Sequence, residues 1–539
     1  MKKPVILLLA SALGAMTAVG GRVVVNPYYD MSSSITFGIT KVELTDTATR
    51  VSADIYGLPG NWVRAGENFT LTGAQTGRVY KMRSLEGMPV GENVYLTDSA
   101  YVSATFVFPL LAPADSVADF TEVLDDASSG WKVSGLRLGA QPEGTKTRIT
   151  GSLDGRPEAS WLVLMPACSD SRVNKSLIVP VREGRFDYTL TTDETQMYGL
   201  APGPDILGGS WMMYSFFSEG GDVRADISAD GSVSPASAVS GGPLTVRYCS
   251  QMGRQHSHIV ESGVEALGDS LNASRTMYTP DYYAVMDAFM SGGDMPQARR
   301  DSLLSEEKRL REGGLMYSPA GKAYNELSAR VYAESDSMTN EFIRTDTTLV
   351  GLYLIYQKVK YSHPGSDALL PVFAAAYQHR FPNHSYTKTL SALIGAEAAE
   401  PGRKVPGFTA PDLDGREYRL TDLIGGRVAL VDLWASWCGP CRRHSKAMIP
   451  VYEKWKDRGF TVVGVARENM STDAMAKAIE QDGYPWLNLV ELNDRGRIWE
   501  RYGAGNSGGL QVLVDSDGTV VALNPTPEKV EAYLESQRR

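Results

Sequence analysis

The sequence predicts a multidomain chain in which N-terminal β-sandwich-like domains and a helical connector precede a C-terminal α/β domain. Three observations carry that reading. The 539 residues exceed what one hydrophobic core organises, since single cores stop growing at about 250–300 residues. The hydrophobic period changes twice, from short alternating runs to helical spacing near residue 253, and from helices to strand–helix alternation after residue 401. Near the end, an apolar strand-like run leads directly into Trp434-Ala435-Ser436-Trp437-Cys438-Gly439-Pro440-Cys441 and then into a long helical pattern.

Residues 1–20 read as a secretory signal peptide. Met1-Lys2-Lys3 precedes an apolar run from Pro4 to Met16, and Ala18-Val19-Gly20 supplies a small-x-small cleavage pattern. That run is shorter than the roughly 20 residues a membrane span needs, and no cysteine follows it to carry a lipid anchor. The expectation is export to the periplasm or cell envelope, with no stable membrane insertion after signal cleavage. Residues 22–138 alternate β-like runs, such as 35–44, 50–55 and 101–108, with Gly, Pro and Asp turns, and read as a β-sandwich-like domain. After a linker at 139–144, residues 142–250 give a second β-rich domain, with runs at 148–153, 160–165, 176–181, 185–191, 211–217, 222–227 and 244–249. Its aromatic residues Trp211, Tyr214, Phe216 and Phe217 read as core or sheet surface rather than a ligand platform. Residues 253–399 turn helical, with candidates at 280–290, 297–313, 320–345, 348–359 and 367–379. His256, His258, His363, His379 and His384 show no convergent ligand spacing. Residues 401–539 form the C-terminal domain, entered through a linker at 400–404.

Composition narrows the function classes. A net charge of −10 and the lack of a basic cluster with interleaved aromatics argue against a nucleic-acid partner. Four cysteines in a chain of this length are too few for a disulfide-stapled scaffold. Cys438 and Cys441 stand one helical turn apart around Gly439-Pro440, an arrangement suited to making and breaking a disulfide. The strand-to-helix order puts Cys438 at or near a helix N-terminus. There the unpaired N–H groups and the helix dipole favour a thiolate, lowering the pKa from about 8.5 toward roughly 7 or below. Cys438 is then the attacking sulfur and Cys441, more buried inside the first turn, the resolving one. Asp432 is the only carboxylate in the apolar strand before the motif; buried there, it would have a raised pKa and could relay a proton to and from Cys441.

These residues resemble the thioredoxin superfamily, in particular the periplasmic disulfide reductases of the TlpA/ResA type. The likeness covers 401–539 and is carried by Val405-Pro406-Gly407-Phe408-Thr409-Ala410-Pro411-Asp412-Leu413-Asp414-Gly415, the strand holding Asp432, the Trp437-Cys438-Gly439-Pro440-Cys441 motif and the later run 460–465. The remainder follows in the matching order: helices near 472–481 and 494–502, a hairpin through 510–514 and 519–523, and a last helix opened by Pro527. The 142–250 module resembles the β-rich unit that often precedes a thioredoxin domain in multidomain envelope proteins of Bacteroides-type bacteria. The resemblance implies a thiol-disulfide oxidoreductase with a redox disulfide Cys438–Cys441 and no cofactor. Gly439-Pro440 between the thiols matches the reducing members. The implied partners are disulfide-containing envelope proteins as substrates and a membrane thiol donor as the electron source. Peroxide reduction fits less well, because the thiol sits in a dithiol motif without the peroxidase-type threonine upstream. The competing class is an envelope binding or scaffolding protein whose thioredoxin-like domain has little activity.

Two positions depart from the family pattern. Gly509, in Asn506-Ser507-Gly508-Gly509-Leu510, falls where a cis-proline is expected against the active cysteines. Glycine there either makes a similar turn or alters substrate choice and weakens exchange. His444 stands where a glutamate is usual, and either tunes the thiols near neutral pH or faces solvent. Three further patterns stand in the sequence. Gly503-Ala504-Gly505-Asn506-Ser507-Gly508 matches the dinucleotide fingerprint, but its helix-then-strand setting is the reverse of what such a site needs. Cys438 and Cys441 have the spacing of half a zinc site, yet no second such pair exists to complete four ligands, so no metal is expected. Cys168 and Cys249 each end a predicted strand, and a structural disulfide between them would stabilise by roughly 3–5 kcal/mol if those strands were neighbours.

Overall fold

The computed structural model describes residues 21–537 except 125–129, 140–142, 156–158, 168–175, 211, 229–233, 292–294, 362–365, 395–398, 470 and 505–508. Residues 1–20, expected to be a signal peptide, together with Cys168, Trp211, His363 and most of the Gly503–Gly508 pattern, lie outside the described residues.

Up to residue 138 the chain builds two five-stranded antiparallel sheets. The longest neighbours in one are Phe37–Thr45, Ala48–Tyr56 and Tyr101–Pro109; the other is centred on Val117–Glu122. Alternation along Ala48–Tyr56 puts Val51, Ala53 and Ile55 inside, as the two-residue strand period requires. Two four-stranded sheets follow. In one, Thr145–Asp154 lies between Arg185–Thr192, which is antiparallel to it, and Gly221–Ser228, which is parallel. One large apolar core crosses from the first pair of sheets to the second, joining Phe37, Phe106 and Phe120 to Ile149, Leu162 and Phe216, and a smaller cluster holds Tyr56, Trp161 and Ile178. Tyr56 stacks on Trp161 at 5.1 Å between ring centroids, and Arg182 pairs with the buried Asp54 across the same junction.

One predicted strand is a helix instead. Residues 244–249 lie in the first turns of helix Pro243–Ser262, so Cys249 sits on a helix, where it is a free and buried thiol. The run Leu244-Thr245-Val246-Arg247-Tyr248-Cys249 is rich in residues that favour strands. Pro243 at the first helical position, and the Glu219 carboxylate accepting from the N–H groups of Leu244 and Thr245 at 3.1 and 2.9 Å, decide for the helix. Among the described residues Cys249 is an unpaired thiol whose pKa burial raises to about 11, and the Cys168 of the expected pair lies outside them. The helical change of period accordingly begins at 243 rather than 253.

Helices Pro280–Ser291, Gln297–Glu312, Pro319–Thr345 and Leu349–Lys360 match the predicted ones closely. The last is almost wholly buried, and its Val350, Leu352 and Tyr353 share a core with Met197 and Phe217 of the second β module, fastening the helical segment to it. No described helix is long and apolar enough to cross a membrane.

The C-terminal domain is a five-stranded sheet in the order Leu487–Leu492, Phe460–Glu468, Val428–Trp434, Leu510–Val514, Val520–Leu523. The first three strands are parallel, and the last two are antiparallel to their neighbours. The central strand Val428–Trp434 is buried at every residue because both of its faces are covered. Ala429, Val431 and Leu433 enter one core, with Phe408, Leu420 and Trp499. Val428, Leu430 and Trp434 enter the other, with Met448, Val451 and Trp455 of helix Gly439–Trp455. Asp432 shares the parity of the second set, so it points toward the face that this motif helix covers.

Candidate active site

The turn between the central strand and the motif helix is held from a neighbouring strand. Glu468, the last residue of Phe460–Glu468, is buried, and its carboxylate accepts from Ser436 N–H and from Ser436 Oγ, both at 2.7 Å. Burial raises the Glu468 pKa, and the two Ser436 donors oppose that rise. A tight turn, Cys438 N–H to the Ala435 carbonyl at 3.0 Å, then delivers Cys438 as the N-cap of the motif helix. Its sulfur accepts the Cys441 N–H at 3.3 Å, satisfying one of the donors that a helix start leaves open. Cys438 and Cys441 are joined as a disulfide with Cα atoms 5.3 Å apart.

In this oxidised ring Cys438 is 6% exposed while Cys441 is only partly buried. The order is the reverse of that expected from the first-turn position of Cys441, because the Cys438 sulfur folds back over the turn to reach the Cys441 N–H. Gly439 and Pro440 are exposed, and Trp437 shows 48% of its surface, making a ledge beside the ring. Below the ring, Asp432 is 2% exposed; Ser445 Oγ donates to its Oδ2 at 2.6 Å and Gln511 Nε2 to its Oδ1 at 3.1 Å. Burial lifts the Asp432 pKa from 3.8 to about 6, against the pull of those two hydrogen bonds and of the His444 charge. A carboxyl group that titrates near 6 can both take and return a proton around neutral pH.

Comparison with known proteins agrees with this geometry. A family model described as the AhpC/TSA family matches residues 401–523. The thiol-disulfide oxidoreductase ResA of Bacillus anthracis is 31% identical over 142 residues, which is 26% of this chain and 79% of that relative. The chain belongs to the thiol-disulfide oxidoreductases. The oxidoreductase is also 29% identical to the thiol:disulfide interchange protein DsbE of Allochromatium vinosum, over 25% of this chain and 71% of that relative. Among solved structures it is similar to the thioredoxin domain of a thiol-disulfide oxidoreductase from Bacteroides vulgatus, with 28% identity, 26% of this chain and 99% of that chain covered, and a TM-score of 0.24. Its C-terminal domain has the thioredoxin-like fold.

The oxidoreductase sets Gly509 against Cys441, bonds Cys441 to Cys438, and links Asp432 to the backbone of Cys441 through Ser445. A Cβ built on Gly509 would stand 2.3 Å from the Leu433 carbonyl oxygen and 2.8 Å from Cys441 Sγ. Glycine at this position therefore lets the backbone close on the Cys441 sulfur at a distance no side chain would permit. His444 is exposed on the motif helix, the solvent-facing of its two readings, although its charge still reaches Asp432. Three contributing residues escaped the sequence reading: Ser445, Gln511 and Glu468. Gln511 interrupts the apolar run Leu510-Gln511-Val512-Leu513-Val514 and Glu468 closes the strand after the 460–466 run, and those interruptions were the available signal; Ser445 stands between His444 and Lys446, where the linear pattern gives none.

Proposed function

We propose that this oxidoreductase works in the reducing direction on protein disulfides in the cell envelope. The observation that carries the reading is the placement of Cys438 as N-cap, with its sulfur accepting the Cys441 N–H at 3.3 Å and a buried carboxyl group behind the ring. When the ring is open, the same N–H and the helix dipole stabilise a Cys438 thiolate. That thiolate attacks one sulfur of a client disulfide, the client S–S bond breaks, and the second client sulfur leaves as a thiolate. Cys441 loses its proton to Asp432 and attacks Cys438 Sγ. The mixed disulfide breaks, the Cys438–Cys441 bond forms, and the client is released with two electrons gained.

The Gly439-Pro440 spacer supports the reducing direction through the family resemblance. The envelope location rests on the lysine-flanked apolar leader, and a membrane thiol donor is the proposed source of the electrons that reopen the ring. The test is insulin-disulfide reduction by the full chain, with Cys438→Ser as control. Thiol-dependent turnover that vanishes in the control supports the reading. A wild-type rate equal to the control would leave a binding or scaffolding protein instead. Cys441→Ser, which stops the second attack, is expected to retain clients covalently on Cys438, and mass spectrometry of the trapped species identifies them.

A further inference from the structure

Two buried side chains outside the motif close on the Asp432 carboxylate, and one of them also reaches the backbone of Cys441. Ser445 follows Cys441 by one turn of the motif helix and is 0% exposed. Its Oγ lies 2.6 Å from Asp432 Oδ2 and 3.1 Å from the Cys441 carbonyl oxygen. Gln511 stands directly opposite Asp432 in the antiparallel register and donates to the other carboxylate oxygen at 3.1 Å. Each oxygen of Asp432 thus has a donor, while the Ser445 hydroxyl has one proton to share between Asp432 Oδ2 and the Cys441 carbonyl, with the Tyr484 phenol also beside it.

We propose that Ser445 is a positioning residue for the resolving thiol: its proton points to Asp432 while that carboxyl is ionised, and turns to the Cys441 carbonyl once Asp432 has accepted the Cys441 proton. This inference rests on the exchange reaction above and assigns it a component outside the motif. With Asp432 ionised, the charged oxygen is the stronger acceptor, and it lies at the shorter distance. Once Oδ2 carries a proton it becomes the donor toward Ser445 Oγ, and the serine proton is released to the carbonyl one turn back, an arrangement open to any helical serine. Gln511 holds the far oxygen throughout, so the transferred proton is directed to the oxygen beside Ser445.

The groups facing Asp432 are Ser445 and His444 from the motif helix, Gln511 from the adjacent antiparallel strand, and Tyr484 from the segment before the outer strand. His444 is exposed, and burial holds the Tyr484 phenol well above its ordinary range, so neither takes the place of Ser445 at neutral pH. In the resolving step the proton goes from Cys441 to Asp432, and the electron pair of the Cys438–client bond leaves with the client sulfur, which then takes up a proton. The two cysteines are oxidised by the two electrons that the client disulfide receives. Ser445 gains and loses no atom; it exchanges one hydrogen-bond acceptor for another.

A hydrogen bond to an ionised group is strong enough to hold the Asp432 midpoint about one pH unit below its value without that bond. The full chain, labelled with ¹³C at its aspartate carboxyls, reads that midpoint directly, with the Asp432 signal assigned by its loss in Asp432→Asn. Ser445→Ala, which introduces a good helix former, is expected to raise the Asp432 midpoint by about 1 pH unit. The pH profile for decay of the Cys438 mixed disulfide is expected to move with it. Ser445→Ala added to Asp432→Asn should leave the decay profile where Asp432→Asn alone puts it. An unmoved carboxyl midpoint in Ser445→Ala overturns the proposal, as does an equal loss of decay rate in both backgrounds, which would show a packing role only. If the wild-type protein forms no mixed disulfide at all, the exchange reading fails, while the carboxyl titration still reports on Ser445.

Discussion

Replacing Asp432 by asparagine is expected to stabilise the central strand at pH 8 and to leave it nearly unchanged at pH 4. Folding raises this group from its ordinary 3.8 to about 6, so between those values the unfolded chain releases a proton that the folded chain keeps. Stability attached to the neutral carboxyl is complete below 3.8, falls as the pH rises through that window, and is lost above about 6. A gap of about 2 pH units at 1.36 kcal/mol each is about 3 kcal/mol. Asparagine has nearly the same shape, can accept from Gln511 and can donate to Ser445 Oγ, so little of that gain is returned as lost hydrogen bonds. The chain has several domains, and no single unfolding midpoint describes it. The suitable assay is native-state hydrogen exchange of the oxidised protein, followed on a peptide spanning Val428–Trp434 and corrected for intrinsic exchange at each pH. Slower opening in Asp432→Asn at pH 8, shrinking to a small difference at pH 4, is the expected pattern. A difference that stays the same at both values would refute the burial argument.

Further expectations follow from the same packing. Gly509→Ala forces a Cβ against the Leu433 carbonyl and Cys441 Sγ, and overpacking of this kind costs about 1–3 kcal/mol; ring closure measured against glutathione should weaken, and an unchanged equilibrium would show that the loop yields freely. Glu468→Ala strips both acceptors from Ser436 and leaves a largely buried N–H unpaired, at a cost of about 1–3 kcal/mol; amide exchange across 435–438 and the alkylation rate of reduced Cys438 report it. Leu352→Ala empties a fully buried site between the helical segment and the second β module and should destabilise that junction by about 2–5 kcal/mol, seen as earlier proteolysis within the Leu349–Lys360 helix.

The parts of the fold that were legible in the sequence are those in which one local pattern decides. The run Val428-Ala429-Leu430-Val431 leaves no polar face and could only be a strand covered on both sides, and the helices after 280 keep their period over several turns. The helix at 243–249 was not legible locally because its deciding partner, Glu219, lies 25 residues from Leu244, before the strands Gly221–Ser228 and Val239–Ser240 and the short helix Pro235–Ala238. The strand Met197–Pro202 escaped notice because Gly199 and the terminal Pro202 break the usual strand composition, while its pairing on both sides is supplied by tertiary neighbours. At the site, Cys438, Cys441 and Asp432 announced themselves by residue type and spacing. Ser445, Gln511 and Glu468 act through register and helix phase: Gln511 matters because it faces Asp432 across the sheet, which no linear spacing of 79 residues discloses.

The apolar interior that passes without a break from Phe37 to Phe216 has a practical meaning for anyone who cuts this polypeptide. Cleavage or truncation at the 139–144 junction would bare matching greasy surfaces on both pieces, and each would be prone to self-association. The last 140 or so residues, by contrast, enclose their two cores among themselves, from Ala399 to Leu534, and are the natural unit to excise intact.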